Sequence, residues 1–132
     1  MMSNKSDVNG TGVVTYGQCS DDAGIFHLDK DNTSNTPNPV TKGSEVSLNL
    51  AGIVDDEMEI TNVHIHVDWN GSTLYDEDHK QDNDYTSSYK YSLSWAVPSY
   101  APSGKYAITV TGTGASSAGT GKEMCITAGM QL

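Results

Sequence analysis

The chain has 132 residues and a formal net charge of −10, which comes from 17 acidic side chains against 7 basic ones, all of them Lys. Its length fits one domain. Its charge excludes a nucleic-acid-binding face, because contacts with phosphate require clustered Lys and Arg. No segment approaches the roughly 18–20 consecutive apolar residues of a membrane-spanning helix.

Residues 1–12 are polar and are predicted to form a flexible N-terminal segment, so the folded domain is expected to span 13–132. From residue 13 onward apolar and polar residues alternate with a period of two, which is typical of half-buried strands. The predicted strands lie at 13–19, 25–28, 45–50, 63–69, 74–75, 89–97, 106–111 and 125–132. The predicted connectors lie at 29–38, 55–59, 76–88 and 112–121.

The spacing of these strands predicts the fold class. Asn70-Gly71 is typical of a hairpin turn between two antiparallel strands. No window longer than one helical turn shows a period of 3.6 residues. Roughly seven or eight short strands, with turns every ~8–12 residues, indicate an all-β antiparallel sandwich or barrel.

The two cysteines, Cys19 and Cys125, are 106 positions apart, which excludes a CxxC redox motif and a four-cysteine zinc site. Either both are free and buried, or they form one disulfide bond. Four sequons for N-glycosylation begin at Asn4, Asn9, Asn32 and Asn70. Together with the cysteines they favour a secreted or endolysosomal protein over a cytosolic one. The first six residues carry no apolar signal segment, so any leader is expected to lie outside this sequence.

His64, His66 and Asp68 have the spacing that is most suggestive of chemistry. On a strand such residues project to one face, about 6.5–7 Å apart per step, and two imidazoles with a carboxylate could hold a divalent metal. The apolar residues that alternate with them explain the same pattern as the water-facing side of a strand, and we favour that interpretation. No Ser has the surroundings of a catalytic nucleophile. We therefore expect no enzyme activity, no cofactor and no metal.

Aromatic residues cluster near two prolines, Pro98 and Pro102. They are Tyr89, Tyr91, Trp95, Tyr100 and Tyr106. Such rings at the mouth of a sandwich would suit a ligand that is apolar at one end. Packing in the core and beside turns explains each of them equally well.

The segment from Pro98 to Tyr106 (PSYAPSGKY), followed by an alternating strand, a Gly-rich turn and Cys125, resembles the C-terminal half of ML domains. The front half also fits, through Cys19, the segment Pro39–Gly43 and the alternation of Val63–Val67. This lipid-recognition family includes Niemann–Pick C2-like sterol carriers and fungal phosphatidylglycerol/phosphatidylinositol transfer proteins. The resemblance covers residues 13–132.

The resemblance implies an immunoglobulin-like sandwich whose sheets splay apart around a lipid tail, with Cys19 bonded to Cys125. It implies a carrier of one lipid, a sterol or a phospholipid, that makes transient membrane contact; we expect a monomer. With strand parity, it suggests as lipid-binding residues Val63, Ile65, Val67, Leu93, Trp95, Val97, Tyr100, Pro102, Ile108 and Val110. The chain lacks the family's additional internal cysteines, which leaves the size of the cavity open.

Two other functions compete with lipid binding. An immunoglobulin-like recognition or adhesion domain would have a filled core and would bind protein or glycan through its loops. A metal-dependent enzyme would use His64, His66 and Asp68. Bound lipid would favour the carrier, a fully packed interior the recognition domain, and stoichiometric metal the enzyme.

Overall fold

The computed structural model describes residues 11–19, 25–82, 85–117 and 119–132. Strands make up 70% of the structure and pair antiparallel, which confirms the predicted all-β class. They are β1 (Thr15–Gln18), β2 (Phe26–Leu28), β3 (Ser34–Thr36), β4 (Glu45–Trp69), β5 (Ser72–Lys80), β6 (Thr86–Ala96), β7 (Lys105–Ser116) and β8 (Gly119–Gln131). Most of the predicted flexible segment, with the sequons at Asn4 and Asn9, lies outside the described residues.

β4 is 25 residues long and belongs to both layers of the fold. Its first part pairs with β6 on one side and with β2 and β3 on the other. Its second part pairs with β7 and β5, and the sheet continues through β8 to β1. Buried side chains of both parts, Leu48 and Ile65 among them, meet in one hydrophobic core, so the sheet folds over itself into a sandwich.

The prediction of a connector at 55–59 was wrong, because β4 runs through it without a break. Asp55, Asp56 and Glu57 are exposed where the strand passes from one layer to the other, and their charges are compatible with extended backbone there. The alternation of buried and exposed residues resumes at Met58, which is fully buried. The charge pattern indicated solvent exposure correctly but not the end of a strand.

Three more predicted connectors contain strand. β3 lies within 29–38, β5 and β6 extend into 76–88, and β7 and β8 extend into 112–121. The β7–β8 hairpin remains paired as far as Ser116 opposite Gly119. Ladder hydrogen bonds come from the backbone, so polar and small residues at an exposed edge can extend a strand that their side chains do not predict.

The Asn70-Gly71 turn is confirmed between β4 and β5. Asn70 has φ of 49° and Gly71 has φ of 88°. Positive φ at both central residues is the requirement of the tightest hairpin turns, and Asn-Gly is the pair that meets it at least cost.

Two side chains of β1 close one side of the sandwich. Gln18 donates through Nε2 to the carbonyl oxygen of Phe26 at 2.5 Å and accepts from the backbone N–H of Leu28 at 2.8 Å. The Tyr16 hydroxyl donates to Asn35 Oδ1 at 2.7 Å, and burial raises the pKa of this phenol to about 12. Edge strands of the two layers are thereby joined through side chains.

Cys19 and Cys125 form a disulfide bond, with a Cα–Cα distance of 5.1 Å. This confirms the pairing that the ML resemblance implied. The bond fastens the end of β1 to β8 on the outer face of the sheet, because Cys125 alternates with inward-facing Ile126. Disulfide bonds persist in oxidising compartments, so this one indicates a location outside the cytosol.

Candidate functional site

The side of the sandwich opposite β1 and β2 is open. β5 and β6 are both edge strands: each pairs with β4, and no ladder joins one to the other within the described chain. A cavity of about 350 Å³ lies between them and reaches inward to β4, β7 and β8. It is lined by Ile65, Val67, Leu74, Tyr75, His79, Tyr91, Ser92, Leu93, Ser94, Trp95, Tyr106, Ile108 and Met130.

Strand register builds the two walls. On the larger wall Val67 lies between Tyr75 of β5 and Ile108 of β7, so the three side chains share the inner face. On β6, Leu93 and Trp95 also point inward, opposite the buried side chains of β4, but they remain half-buried because no other described part of the chain covers them. The cavity is therefore walled by large apolar side chains that the protein does not bury completely.

An irregularity in β5 widens the apolar wall. The register shifts between Val67, which faces Tyr75, and Asp68, which faces Thr73, so Leu74 is an extra residue on β5. Such a bulge breaks the alternation of a strand. Leu74 and Tyr75 consequently both line the cavity, and Leu74 is 55% exposed.

The cavity also has polar lining residues, among them Tyr75, His79 and Ser92, and all three are at least partly exposed. The Tyr75 hydroxyl and His79 Nε2 are 2.8 Å apart, and the two rings are stacked with centroids 6.2 Å apart. Partial desolvation, followed by the charge of Glu77, raises the pKa of Tyr75. The Ser92 hydroxyl donates to Asn49 Oδ1 at 2.8 Å.

The structure brings together half of the residues that the sequence suggested for lipid binding: Ile65, Val67, Leu93, Trp95 and Ile108 line the cavity. Val63 and Val110 lie in the main core, and Val97 lies in a second buried cluster. Tyr100 and Pro102 are exposed on the loop between β6 and β7. Parity placed the strand residues on the inner face but did not separate those that fill the core from those that line the cavity.

Eight lining residues were not among the suggested lipid-binding residues: Leu74, Tyr75, His79, Tyr91, Ser92, Ser94, Tyr106 and Met130. The aromatic cluster contained Tyr91 and Tyr106, and Met130 has inward parity on the last strand, so a signal existed for these three. His79 fell in a predicted loop. Leu74 enters only through the bulge, which no sequence pattern indicated.

The outer face of β4 and β5 carries the two histidines considered as metal ligands. His64 contacts Asp76 and Asp78 at 2.5 and 2.8 Å, and His66 contacts Asp68 and Asp76 at 2.8 and 3.0 Å. The hydrogen bond to Asp76, and then that to Asp68, raise the pKa of His66. The described residues contain no group of three or more His, Cys, Asp or Glu side chains placed to hold a metal ion. This row of histidine and aspartate side chains lies on the water-facing side of the hairpin.

The loop that leads into β7 is fixed by its tyrosine. The Tyr106 hydroxyl donates to the carbonyl oxygen of Pro102 at 2.7 Å. A tyrosine near the start of a strand that bonds back to upstream backbone is also a feature of immunoglobulin-like sandwiches.

No protein-family model matches the chain, and no curated protein matches it in sequence. The described residues hold no helix with the length and apolarity to cross a membrane.

Proposed function

We propose that this protein binds one lipid by its hydrocarbon chain in the cavity between β5 and β6, and carries it between membranes or to a partner. The observation that carries the proposal is the cavity of about 350 Å³, walled by apolar side chains and open between two edge strands. Its volume falls at the lower end of the ~300–1,000 Å³ that is usual for small-molecule sites. Each methylene that enters it gains about 0.8 kcal/mol.

The resemblance to ML domains supports the same function. The disulfide bond between Cys19 and Cys125 is the pairing found in that family. The cavity lies between the layers, where ML domains hold a lipid tail. Membership of this family, with a sterol or a phospholipid as the ligand, is part of the proposal.

One end of the sandwich is suited to transient membrane contact. Its loops, 40–44, 69–73 and 97–105, contain Lys42 and Lys105 but no acidic side chain, in a chain whose net charge is −10. Lys, Tyr and Trp suit the interface between headgroups and acyl chains. A membrane facing this end would meet the two lysines and no acidic side chain within these three ranges, which Glu45 and Asp68 border.

The same loops are held together and present an aromatic ring. Lys42 Nζ donates to Ser103 Oγ at 3.0 Å, and Trp69 Nε1 donates to the carbonyl oxygen of Ser103 at 3.2 Å. Tyr100 is 85% exposed. The lining residue Tyr106 directly follows the last of these loops, so the cavity extends to this end. We propose that lipid passes between membrane and cavity here.

The proposed compartment is the secretory or endolysosomal lumen, since the disulfide bond indicates an oxidising environment. The sequon at Asn32 lies at an exposed position away from the proposed membrane-facing loops, where glycosylation is sterically possible. The alternative, a recognition domain with a filled core, accounts for the Tyr106 contact but not for half-buried Leu93 and Trp95 beside an open cavity.

The test is a pair of arginine substitutions on β4. Val67→Arg places a charge in the wall of the cavity, whereas Ile53→Arg changes a residue that is 52% exposed and points away from the core, which its neighbour Val54 faces. Binding is measured with the neutral apolar fluorophore N-phenyl-1-naphthylamine, and folding with circular dichroism. We expect Val67→Arg to lose binding by about tenfold or more while Ile53→Arg retains it. Full binding by a folded Val67→Arg variant would place the ligand elsewhere.

A further inference from the structure

The lining of the cavity carries almost no charge. Among the described residues that line it, none is Asp, Glu or Lys, and His79 is the one basic side chain. An ionised group buried without a partner of opposite charge is strongly disfavoured. Any charged polar end of a ligand would therefore have to remain outside.

Tyr75 and His79 together present one donor and one acceptor. Their hydroxyl and Nε2 atoms are 2.8 Å apart, so the phenol donates when Nε2 is unprotonated and the imidazole donates when Nε2 carries the proton. A ligand hydroxyl can insert into this hydrogen bond, accepting from the phenol and donating to the imidazole, and no polar atom loses its partner. A carboxylate or phosphate ester anion only accepts, so it fits this pair only when Nε2 carries the proton, whereas a hydroxyl fits either tautomer.

Glu77 adds a repulsive element beside the pair. Tyr75, Glu77 and His79 face Val67, Ile65 and Val63 in the β4–β5 register, so all three have inward parity. Lys80, the nearest cation along β5, has the opposite parity because it neighbours His79. An anionic polar end beside Tyr75 would meet the Glu77 carboxylate with no inward-facing lysine on this strand to offset it.

We propose that the ligand is an amphiphile whose polar end is an uncharged hydroxyl group, held between Tyr75 and His79, and that Glu77 excludes ligands with an anionic end. This inference rests on the proposed lipid cavity and narrows its ligand class to long-chain or polycyclic alcohols and monoesters of glycerol.

The test compares three ligands of equal chain length: 1-dodecanol, dodecanoate and dodecyltrimethylammonium. Each displaces N-phenyl-1-naphthylamine from the full chain at pH 8.5. We expect dodecanol to bind about tenfold or more tightly than dodecanoate, and more tightly than the ammonium compound.

Two variants separate the contributions. Glu77→Gln keeps the size of the side chain but removes its charge, so it should raise the affinity for dodecanoate several-fold and leave dodecanol unchanged. Tyr75→Phe removes the hydroxyl, so it should weaken binding of dodecanol several-fold more than it weakens binding of the apolar fluorophore. The fluorophore also reports whether each variant is folded with an intact cavity.

The outcomes distinguish this inference from the proposed function. If the fluorophore binds but dodecanoate or the ammonium compound binds as tightly as dodecanol, the preference for a hydroxyl end is wrong, whereas the proposed lipid cavity is still supported. An unchanged preference in Glu77→Gln would remove Glu77 from the account. If neither the fluorophore nor any of the three ligands binds, the lipid cavity itself is wrong and this inference falls with it.

Discussion

The two sides of this sandwich are built differently. On one side β1 meets β2 and β3, and Tyr16 and Gln18 reach across with three hydrogen bonds to the opposite layer. On the other side β5 and β6 have no such connection within the described chain, and large side chains such as Leu93 and Trp95 are left half-buried. A sandwich fastened along one side can remain open along the other, and the open side is where a ligand can enter.

The difference arises from side-chain identity and not from the pattern of strands. Gln18 carries an amide that can both donate and accept, so it pairs with two backbone groups of β2. Phe26, directly beside these contacts, is fully buried against Gly52, where an added Cβ atom would lie 2.0 Å from the ring. The open side has apolar residues of similar size, but none of the residues that the structure describes covers them.

The largest effect is expected from the disulfide bond, which fastens the closed side. Replacing Cys19 and Cys125 together by Ala releases a loop of 106 residues in sequence separation. In the chain-entropy model this lowers the free energy of unfolding by about 4–5 kcal/mol. Urea denaturation of the variant, compared with the unmodified protein, measures the loss. A change below about 1 kcal/mol would mean that the noncovalent contacts hold this side alone.

Truncating one apolar side chain on each side should lower the free energy of unfolding by different amounts. Phe26→Ala empties a fully buried position and should cost about 3–5 kcal/mol. Leu93→Ala removes a half-buried side chain at the open side, so it should cost less than about 2 kcal/mol. Thermal and urea denaturation of both variants provide the comparison. Equal losses would show that the open side is as tightly packed as the closed one.

The side-chain fastening of the closed side can be removed with a smaller change. Gln18→Leu keeps an apolar stem but leaves the Leu28 N–H and the Phe26 carbonyl without this partner, which should cost about 1–3 kcal/mol. The matched control is Ser92→Ala, which removes a hydrogen bond of an exposed side chain at the open side. The control should change stability by about 0.5 kcal/mol or less. If Gln18→Leu leaves the free energy of unfolding unchanged, these hydrogen bonds do not stabilise the closed side.

The smallest expected effect is a dependence of stability on pH, which arises from His66 on the outer face of the open side. Asp76 and Asp68 raise the pKa of His66, so protonation of His66 stabilises the folded state. This contribution is complete below the unfolded pKa, about 6.5 for histidine, and is lost as the pH rises through the raised folded pKa. The advantage of the unmodified protein over His66→Asn should therefore be larger at pH 6 than at pH 9. NMR titration of the His66 ring should give a pKa above that of an unfolded peptide.

Asp78 makes the opposite contribution. A hydrogen bond from Asn62, followed by one from His64, lowers the pKa of Asp78. Its stabilising contribution is therefore present above the unfolded pKa of aspartate and is lost as the pH falls through the folded value. Asn62→Ala should reduce this loss of stability on acidification, which urea denaturation at a series of acidic pH values measures. The same loss in the variant as in the unmodified protein would contradict the role of Asn62.

The sequence predicted the class of the fold because inward and outward residues alternate so regularly, as in Val63–Val67. It did not predict that β4 is continuous, because charged side chains at an exposed crossing look the same in a strand as in a loop. The lining residues were predicted where parity sufficed, as for Val67 and Trp95. Leu74 depends on a bulge, and the openness of the side depends on contacts between distant strands, neither of which local alternation records.

The central claim is that the open side admits one hydrocarbon chain. Native mass spectrometry of the purified protein after incubation with a total lipid extract tests it most directly. We expect one bound lipid per chain, absent from Val67→Arg and retained by Ile53→Arg. The bare mass of the protein under all conditions, or an adduct that Val67→Arg also retains, would contradict it.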